Sequence, residues 1–520
     1  MVGRTVVSMQ SLEPPERRRG RRAASPRWPQ AFVKRVGVLL SLACAGLALA
    51  APSHAAIDVG VADDHPVGQP DGGAAFFAVQ NDVGMREVRI SVLWDATQPT
   101  TIANQAEIDA VLPVATLRGV KVVFSVAPLK ARAMLEPGGA NQFVAFVEQV
   151  ARRYPTVKDV IVGNEPNQPR FWQPQFDSRG RNVSGASYES VLARSYDALK
   201  AVDPAINVIG VGLSPRGNDN PHASGNVSTS PVKFLQALGA TYRASKRRKP
   251  LMDQFAYHLY PRQDRDGLTE GYPWPNAGVT NFDRVKQAFS DAFAGTAQRT
   301  FEQGLKVKFD EVGWQVAVLP AAANAYFGSE SISPTTEAAQ ARIYAGLLRY
   351  VACDPAVDSV FFFGLQDERD LDRWQAGLIR ADGTLRPSYN AVKATIAETR
   401  GNCAGRMRSW RHSTVVDGAE ATFRGDRRLP SRVNSWSFLA SADEDAFFDA
   451  GIYRLRGGHR GARILSEAGH FDAGVTRHVR FPARRLAPGT YVYSLRFRAE
   501  ANPARWTRKT SRPFAIYRTS

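Results

Sequence analysis

Val307-Lys-Phe-Asp-Glu-Val-Gly-Trp314 and Val160-Ile-Val-Gly-Asn-Glu-Pro-Asn167 are short apolar runs that each reach a glutamate and then pass into a polar, aromatic-rich loop. Apolar, β-branched runs this short, with Gly or Pro at their ends, read as buried strands. Working outward, eight such runs occur: Ile57–Val61, Glu87–Leu93, Val120–Val126, Asp159–Gly163, Asn207–Gly212, Met252–His258, Lys306–Glu311 and Asp358–Gly364. Between them the apolar spacing becomes helical, as in the stripes Tyr188, Leu192, Ser195, Leu199 and Phe282, Val285, Phe289, Phe293. Strand and helix alternation predicts a parallel sheet wrapped by helices, and eight units predict a closed (β/α)8 TIM barrel over residues 57–400. An open, doubly wound sheet is the alternative. However, Asp58-Val-Gly-Val-Ala-Asp-Asp64 lacks the glycine spacing of a dinucleotide-binding turn.

The flanking segments differ from this region. Residues 1–56 place nine basic side chains around and before an apolar run, Val36–Ala50, that ends near small residues at Ser53-His54-Ala55. That pattern predicts a signal peptide and a secreted protein, with an uncleaved leader as the alternative. After Arg400 helical periodicity fades. Gly489-Thr-Tyr-Val-Tyr-Ser-Leu-Arg-Phe-Arg498 alternates strictly, which predicts a half-buried antiparallel strand. Similar runs at 435–439, 451–455, 476–481 and 513–517 make residues 401–520 a predicted small β-sandwich.

The formal charge of +18 divides unevenly: +7 over residues 1–56, −1 over 57–400 and +12 over 401–520. A near-neutral central domain argues against a nucleic-acid partner, whose electrostatic footprint belongs on the working domain. The basic tail reads as a solvated face or as a contact for an acidic polymer such as a cell wall. Cys44 falls in the leader, which leaves Cys353 and Cys403 as one candidate disulfide in an oxidising compartment.

A pair of strand-end carboxylates suits chemistry that needs one group to donate a proton and another to attack or stabilise a cationic centre. At the carboxyl end of barrel strands, Glu165 and Glu311 can face one ligand although they are far apart in sequence. Here the pattern becomes specific. Val-Gly-Asn164-Glu165-Pro-Asn followed by Phe171-Trp172, Tyr257-His258-Leu-Tyr260, and Glu311-Val-Gly-Trp314 resemble the clan A glycoside hydrolases, with families 5 and 39 the nearest patterns. Gly377–Tyr389 resembles the segment leading into the last barrel helix of those families, so the likeness covers roughly residues 57–400.

The resemblance implies a retaining hydrolase of a β-linked oligo- or polysaccharide, with Glu165 as acid/base and Glu311 as nucleophile. It implies that Asn164 holds a sugar hydroxyl, that Arg89 with Tyr260 or Tyr257 orients Glu311, and that His258 lines the site. Trp172 and Trp314 are the preferred sugar-stacking candidates, with Trp94, Trp274 and Trp374 also near the expected mouth. No metal or organic cofactor is expected, the partner is a carbohydrate, and a monomer is expected. The alternatives are a non-catalytic carbohydrate-binding or cell-surface protein on the same scaffold and an adhesive protein acting through its basic tail.

Two departures stand out. Asp310 occupies a place where those families often carry Thr or Ser, and strand alternation predicts that it turns away from the face of Glu311. The eighth run, Phe361-Phe-Phe-Gly-Leu-Gln-Asp367, lacks the tryptophan common at its end in family 5, while Asp367 and Glu368 are candidates for the mouth. Asp63, Asp64 and His65 read as sugar-gripping groups rather than as a metal set.

Overall fold

A computed structural model describes residues 56–423 and 428–518. Apart from Ala56, the expected leader and its Cys44 lie outside the described residues. Eight parallel strands close a barrel in chain order: β1 (Asp58–Ala62), β2 (Glu87–Trp94), β3 (Lys121–Pro128), β4 (Asp159–Val162), β5 (Asn207–Leu213), β6 (Gln254–His258), β7 (Val307–Val312) and β8 (Val357–Phe363). β1 completes the ring by pairing with β8, Asp58 opposite Ser359. This is the TIM-barrel architecture, and each expected strand lies within two residues of its observed bounds.

The helices are α1 (Ala74–Val83), α2 (Gln105–Leu117), α3 (Gly139–Arg153), α4 (Ser184–Val202), α5 (Pro231–Ser245), α6 (Phe282–Phe293), α7 (Glu337–Val351) and α8 (Pro387–Thr399). Each lays one apolar stripe on the strands. On α6 these are Phe282, Val285, Phe289 and Phe293. Phe289 packs edge-on against Phe255 of β6, ring centroids 5.3 Å apart. Burying each such side chain stabilises the fold by about 1.5–3 kcal/mol.

Inside the barrel the inward side chains form layers. Near the amino-terminal end Lys121, Lys308, Glu87 and Asp159 form an ionic layer, with Lys121 Nζ 3.0 Å from Glu87 and 2.7 Å from Asp159. Above it lie Val123, Ile161, Ile209, Ala256 and Phe361. The carboxyl-terminal layer is again polar and holds the candidate site.

The remaining strands are β9 (Glu420–Thr422), β10 (Arg428–Pro430), β11 (Ser437–Ser441), β12 (Ala446–Arg456), β13 (His459–Phe471), β14 (Arg477–Arg480), β15 (Gly489–Ala499), β16 (Trp506–Thr510) and β17 (Phe514–Tyr517). One sheet runs β10-β17-β15-β12-β13 with β16 beside β15, and a second runs β14-β11-β9. Side chains of both sheets, including Phe438, Val479, Tyr493 and Phe514, share one core, as a β-sandwich requires. The buried Arg505 ties this module to the barrel, 3.0 Å from Asp291 of α6 and bound to Glu444. Cys353, just after α7, and Cys403 form a disulfide at the amino-terminal side of the barrel strands.

Candidate active site

The site grows out of two irregularities at strand ends. After β4 the chain turns at Gly163, φ +88°, where an added Cβ would sit 2.9 Å from the Tyr188 ring. Glu165 follows with φ +37°, a conformation uncommon outside glycine. The Glu165 N–H donates to the Gly212 carbonyl at 2.8 Å and the Gln168 N–H to the Glu165 carbonyl at 2.8 Å, which holds the turn. A strained backbone kept by its surroundings is a common mark of a functional position.

The second irregularity lies on β7. Pairing with β8 slips between Phe309 and Val312, and pairing with β6 slips so that His258 comes opposite Glu311. The strict alternation expected for this strand therefore breaks, and Asp310 and Glu311 both face the lumen. This corrects the expectation that Asp310 turns away. Its carboxylate is fully buried, 3.4 Å from Arg89 Nε and 3.4 Å from His258 Nε2.

Around these two turns the donors are shared unequally. Arg89 Nη1 donates to Glu311 Oε1 at 2.9 Å, and the Tyr260 hydroxyl donates to Glu311 Oε2 at 2.7 Å. Arg89 Nη2 also donates to Asn164 Oδ1 at 2.7 Å and to Ser125 Oγ at 3.0 Å, which fixes the guanidinium plane. Glu165 has no arginine partner among the described residues. Its Oε1 is 2.8 Å from His258 Nδ1, which is also 3.4 Å from Glu311 Oε2.

Burial works against a charge on His258, but Glu311, Asp310 and the contact with Glu165 outweigh it and bring its pKa up to about 10. Burial, then the charge of Glu311, pushes the Tyr260 hydroxyl well above its ordinary range, so it stays a neutral donor. Asp310 is held below the usual carboxylate range, because the attraction of His258 and Arg89 overcomes its burial.

A cleft of about 610 Å³ opens above this cluster, lined by Arg89, Asn164, Glu165, Tyr260 and Glu311 together with Phe171, Glu368 and Trp374. Arg89, Asn164, Glu165, Tyr260 and Glu311 thus come together at one opening. His258 touches both glutamates but is fully buried beneath them. Four expected cleft residues are elsewhere. Tyr257 is buried and donates its hydroxyl to the Ala277 carbonyl at 2.7 Å, so of the two tyrosines it is Tyr260 that serves Glu311. Trp172 is buried, donating its indole N–H to Ser187 Oγ at 2.8 Å. Trp314 is buried, donating to the Asp266 carbonyl at 2.9 Å. Trp94 packs edge-on against Phe143 in the core, centroids 5.6 Å apart. All four residues fill the space between strands and helices, where large rings add core volume.

The aromatic wall comes instead from Trp374, in the loop after β8, which stacks on Tyr260 with centroids 4.9 Å apart and planes at 28°. It occupies the side where β8 itself ends without a tryptophan. Asp367 is buried against Arg386 at 2.6 Å and takes no part in the mouth, whereas Glu368 lines it. Asp63 accepts the Leu365 N–H at 2.7 Å and Asp64 the Ser91 N–H at 2.7 Å, so both brace loops at the rim. Among the described residues no group of three or more His, Cys, Asp or Glu is placed to hold a metal ion.

No protein-family model matches the chain, and no curated protein matches it. Similar solved structures include a family 39 glycoside hydrolase from Bacteroides cellulosilyticus WH2, at 16% identity over 82% of this chain and 81% of that one, TM-score 0.43. A monomeric β-xylosidase from Caulobacter crescentus CB15 is 15% identical over 83% and 94%, TM-score 0.44. A glucosidase from Croceicoccus marinus is 13% identical over 84% and 94%, TM-score 0.45.

Proposed function

We propose that the protein is a retaining glycoside hydrolase acting on a β-linked oligo- or polysaccharide, with Glu311 as nucleophile and Glu165 as acid/base. The observation that carries this reading is the unequal setting of two carboxylates that meet at one histidine nitrogen. Glu311 receives one donor on each oxygen, Arg89 and Tyr260, an arrangement that fixes its aim. Glu165 keeps Oε2 free of these donors and faces the open cleft. The nearest oxygens of the pair lie no farther apart than the two His258 Nδ1 contacts, 2.8 and 3.4 Å, laid end to end. That bound is compatible with the about 5–5.5 Å separation of a retaining pair.

In the first step a Glu311 oxygen bonds to the anomeric carbon as the bond to the departing oxygen breaks, and Glu165 gives that oxygen its proton. In the second, Glu165 takes a proton from water, whose oxygen bonds to the anomeric carbon while the ester to Glu311 breaks. Asn164, oriented by Arg89, faces the sugar and suits a hydroxyl next to the reacting carbon. Two variants test the roles on a panel of aryl glycosides and polysaccharides. Glu311→Gln should abolish turnover, and a fluoro-sugar should be trapped on Glu311 and found there by mass measurement. Glu165→Ala should slow substrates with poor leaving groups far more than activated aryl glycosides, which need no acid. Ordinary hydrolysis by the Glu311 variant would return the barrel to a purely binding role.

The sandwich module adds a proposed polymer contact. On the outer face of its larger sheet, Phe447, Arg498 and Trp506 form one cross-strand row, with Asp449, Arg496 and Arg508 forming the next. Arg496 and Arg508 lie 4.9 and 5.5 Å from the Trp506 ring, and Arg498 lies 5.9 Å from that of Phe447. None of the three arginines has a carboxylate partner among the described residues, whereas Asp449 is taken by Arg463. Exposed rings flanked by unshared guanidinium groups suit an anionic polysaccharide outside the cell, where the Cys353–Cys403 disulfide is also at home. Changing Arg496, Arg498 and Arg508 together to Gln should weaken salt-sensitive retention on a polyuronate gel. Unchanged retention would remove this contact.

A further inference from the structure

Asp310 is a buried carboxylate with no part in the two steps above. It rises from the β7 slip to a place between two cations, 3.4 Å from His258 Nε2 and 3.4 Å from Arg89 Nε, and makes no shorter contact with a donor among the described residues. A buried carboxylate placed against a histidine in this way fixes a proton on the facing nitrogen. The other nitrogen, Nδ1, points at Glu165 and Glu311. Resting on the retaining reading, we infer that Asp310 is a positioning residue, the fixed counter-charge that keeps His258 doubly protonated through both half-reactions.

Charge balance carries the argument. Before reaction, Arg89 and His258 bear two positive charges, Asp310 and Glu311 two negative ones, and Glu165 holds its transferable proton. After glycosylation Glu311 is a neutral ester and Glu165 is ionised, so the cluster is again neutral with His258 still charged. The proton delivered to the leaving oxygen comes from Glu165 and is restored by water; the histidine neither gives nor takes one. Without Asp310 the resting cluster would hold an excess positive charge in a water-poor layer, where uncompensated charge is costly, and His258 would release its proton.

The chemical consequence falls on Glu165. A charged His258 can only donate from Nδ1, so it binds Glu165 Oε1 and leaves the acid proton on the other oxygen, toward the cleft. A neutral His258 with its proton on Nε2 would present a lone pair at Nδ1, 2.8 Å from Glu165, and compete with the substrate for that proton. The other groups facing the ring fit this assignment. Tyr260 of β6, ring centroid 6.1 Å away, is a neutral donor to Glu311, and β5 contributes Gly212, which brings no charge. Asp64, at the rim, bears on Arg89 rather than on His258.

Nitrogen-15 NMR of histidine-labelled protein tests this directly, with His258→Gln identifying the signal. In the unaltered protein both ring nitrogens of His258 should be protonated and unchanging from about pH 5 to 8.5, whereas in Asp310→Asn the ring should lose a proton within that range. In Asp310→Asn, kcat/KM for poor leaving groups should also fall by about tenfold to a hundredfold, with little change for activated aryl glycosides. The alkaline limb of its pH profile should move down to follow His258. A neutral His258 at pH 7 in the unaltered protein overturns the inference even if the variant fails to fold, as does a variant in which the ring stays doubly protonated. Because the spectrum needs no substrate, it stands apart from the glycosidase reading: an inactive protein with a charged His258 defeats only the latter.

Discussion

The two ends of the barrel lumen make an instructive pair. At the amino-terminal end Lys308 lies 2.7 Å from Asp358 and 3.4 Å from both Glu87 and Asp159, and Lys121 closes over the same carboxylates. Burial opposes the Lys308 charge, yet the three carboxylates raise its pKa well above the usual lysine range. At the carboxyl-terminal end Arg89 and His258 meet Asp310, Glu311 and Glu165. Both layers are dense in buried charge, and both come from inward positions of the same strands: Glu87 and Arg89 on β2, Lys308 and Asp310 on β7. They differ in closure. Lys308, Glu87 and Asp159 are shut in by their own partners, while Glu165 and Glu311 keep surface on a cleft of about 610 Å³. Buried charge alone therefore marks a plug as readily as a site, and it becomes chemistry where the strand order breaks and an oxygen is left facing an opening.

The widest separation of the two layers should come from one substitution in each. Glu311→Gln should lower kcat by at least about a thousandfold, near 4 kcal/mol of barrier, with little change in the unfolding midpoint. Lys308→Met strands carboxylates in the lower layer and should cost about 3–5 kcal/mol in denaturant unfolding, while the folded fraction keeps its KM. If folded Lys308→Met lost turnover outright, the division into plug and site would collapse.

The strands, their order and the positions of both glutamates were legible because period and length are local properties: short apolar runs bounded by turn residues, alternating with longer helical stripes, read as strands. The contacts of Arg89 and Tyr260 with Glu311 were implied by the family resemblance, which left Tyr257 open beside Tyr260. What escaped depended on departures from regularity. Asp310 was placed on the wrong face because a one-residue slip on β7 leaves no compositional trace, although an acidic residue beside Glu311 in an apolar run was itself a signal. β13 was not foreseen, yet Gly457-Gly458, φ +54° and +80°, is a two-residue hairpin turn that joins it to β12, and that pair was readable. The tryptophans failed for a different reason. Closeness in sequence to Glu165 and Glu311 does not say which side of a strand a ring takes, and Trp172 and Trp314 turned into the helix layer.

That last error sets the finest test of the comparison between closed and open surroundings. Trp374 is half-buried and stacks on Tyr260 at the cleft, whereas Trp172 is enclosed and held to Ser187. Removing the first ring should leave folding almost unchanged and raise KM by about tenfold, some 1.4 kcal/mol of binding, with kcat little affected because the ring touches no transferred proton. Trp172→Phe should do the reverse: loss of the hydrogen bond to Ser187 should cost about 1 kcal/mol of stability, and KM should hold. If the Trp172 variant raised KM as much as Trp374→Ala, the cleft would have to extend into the helix layer. The distinction between enclosed and open aromatic surroundings would then fail at its weakest point.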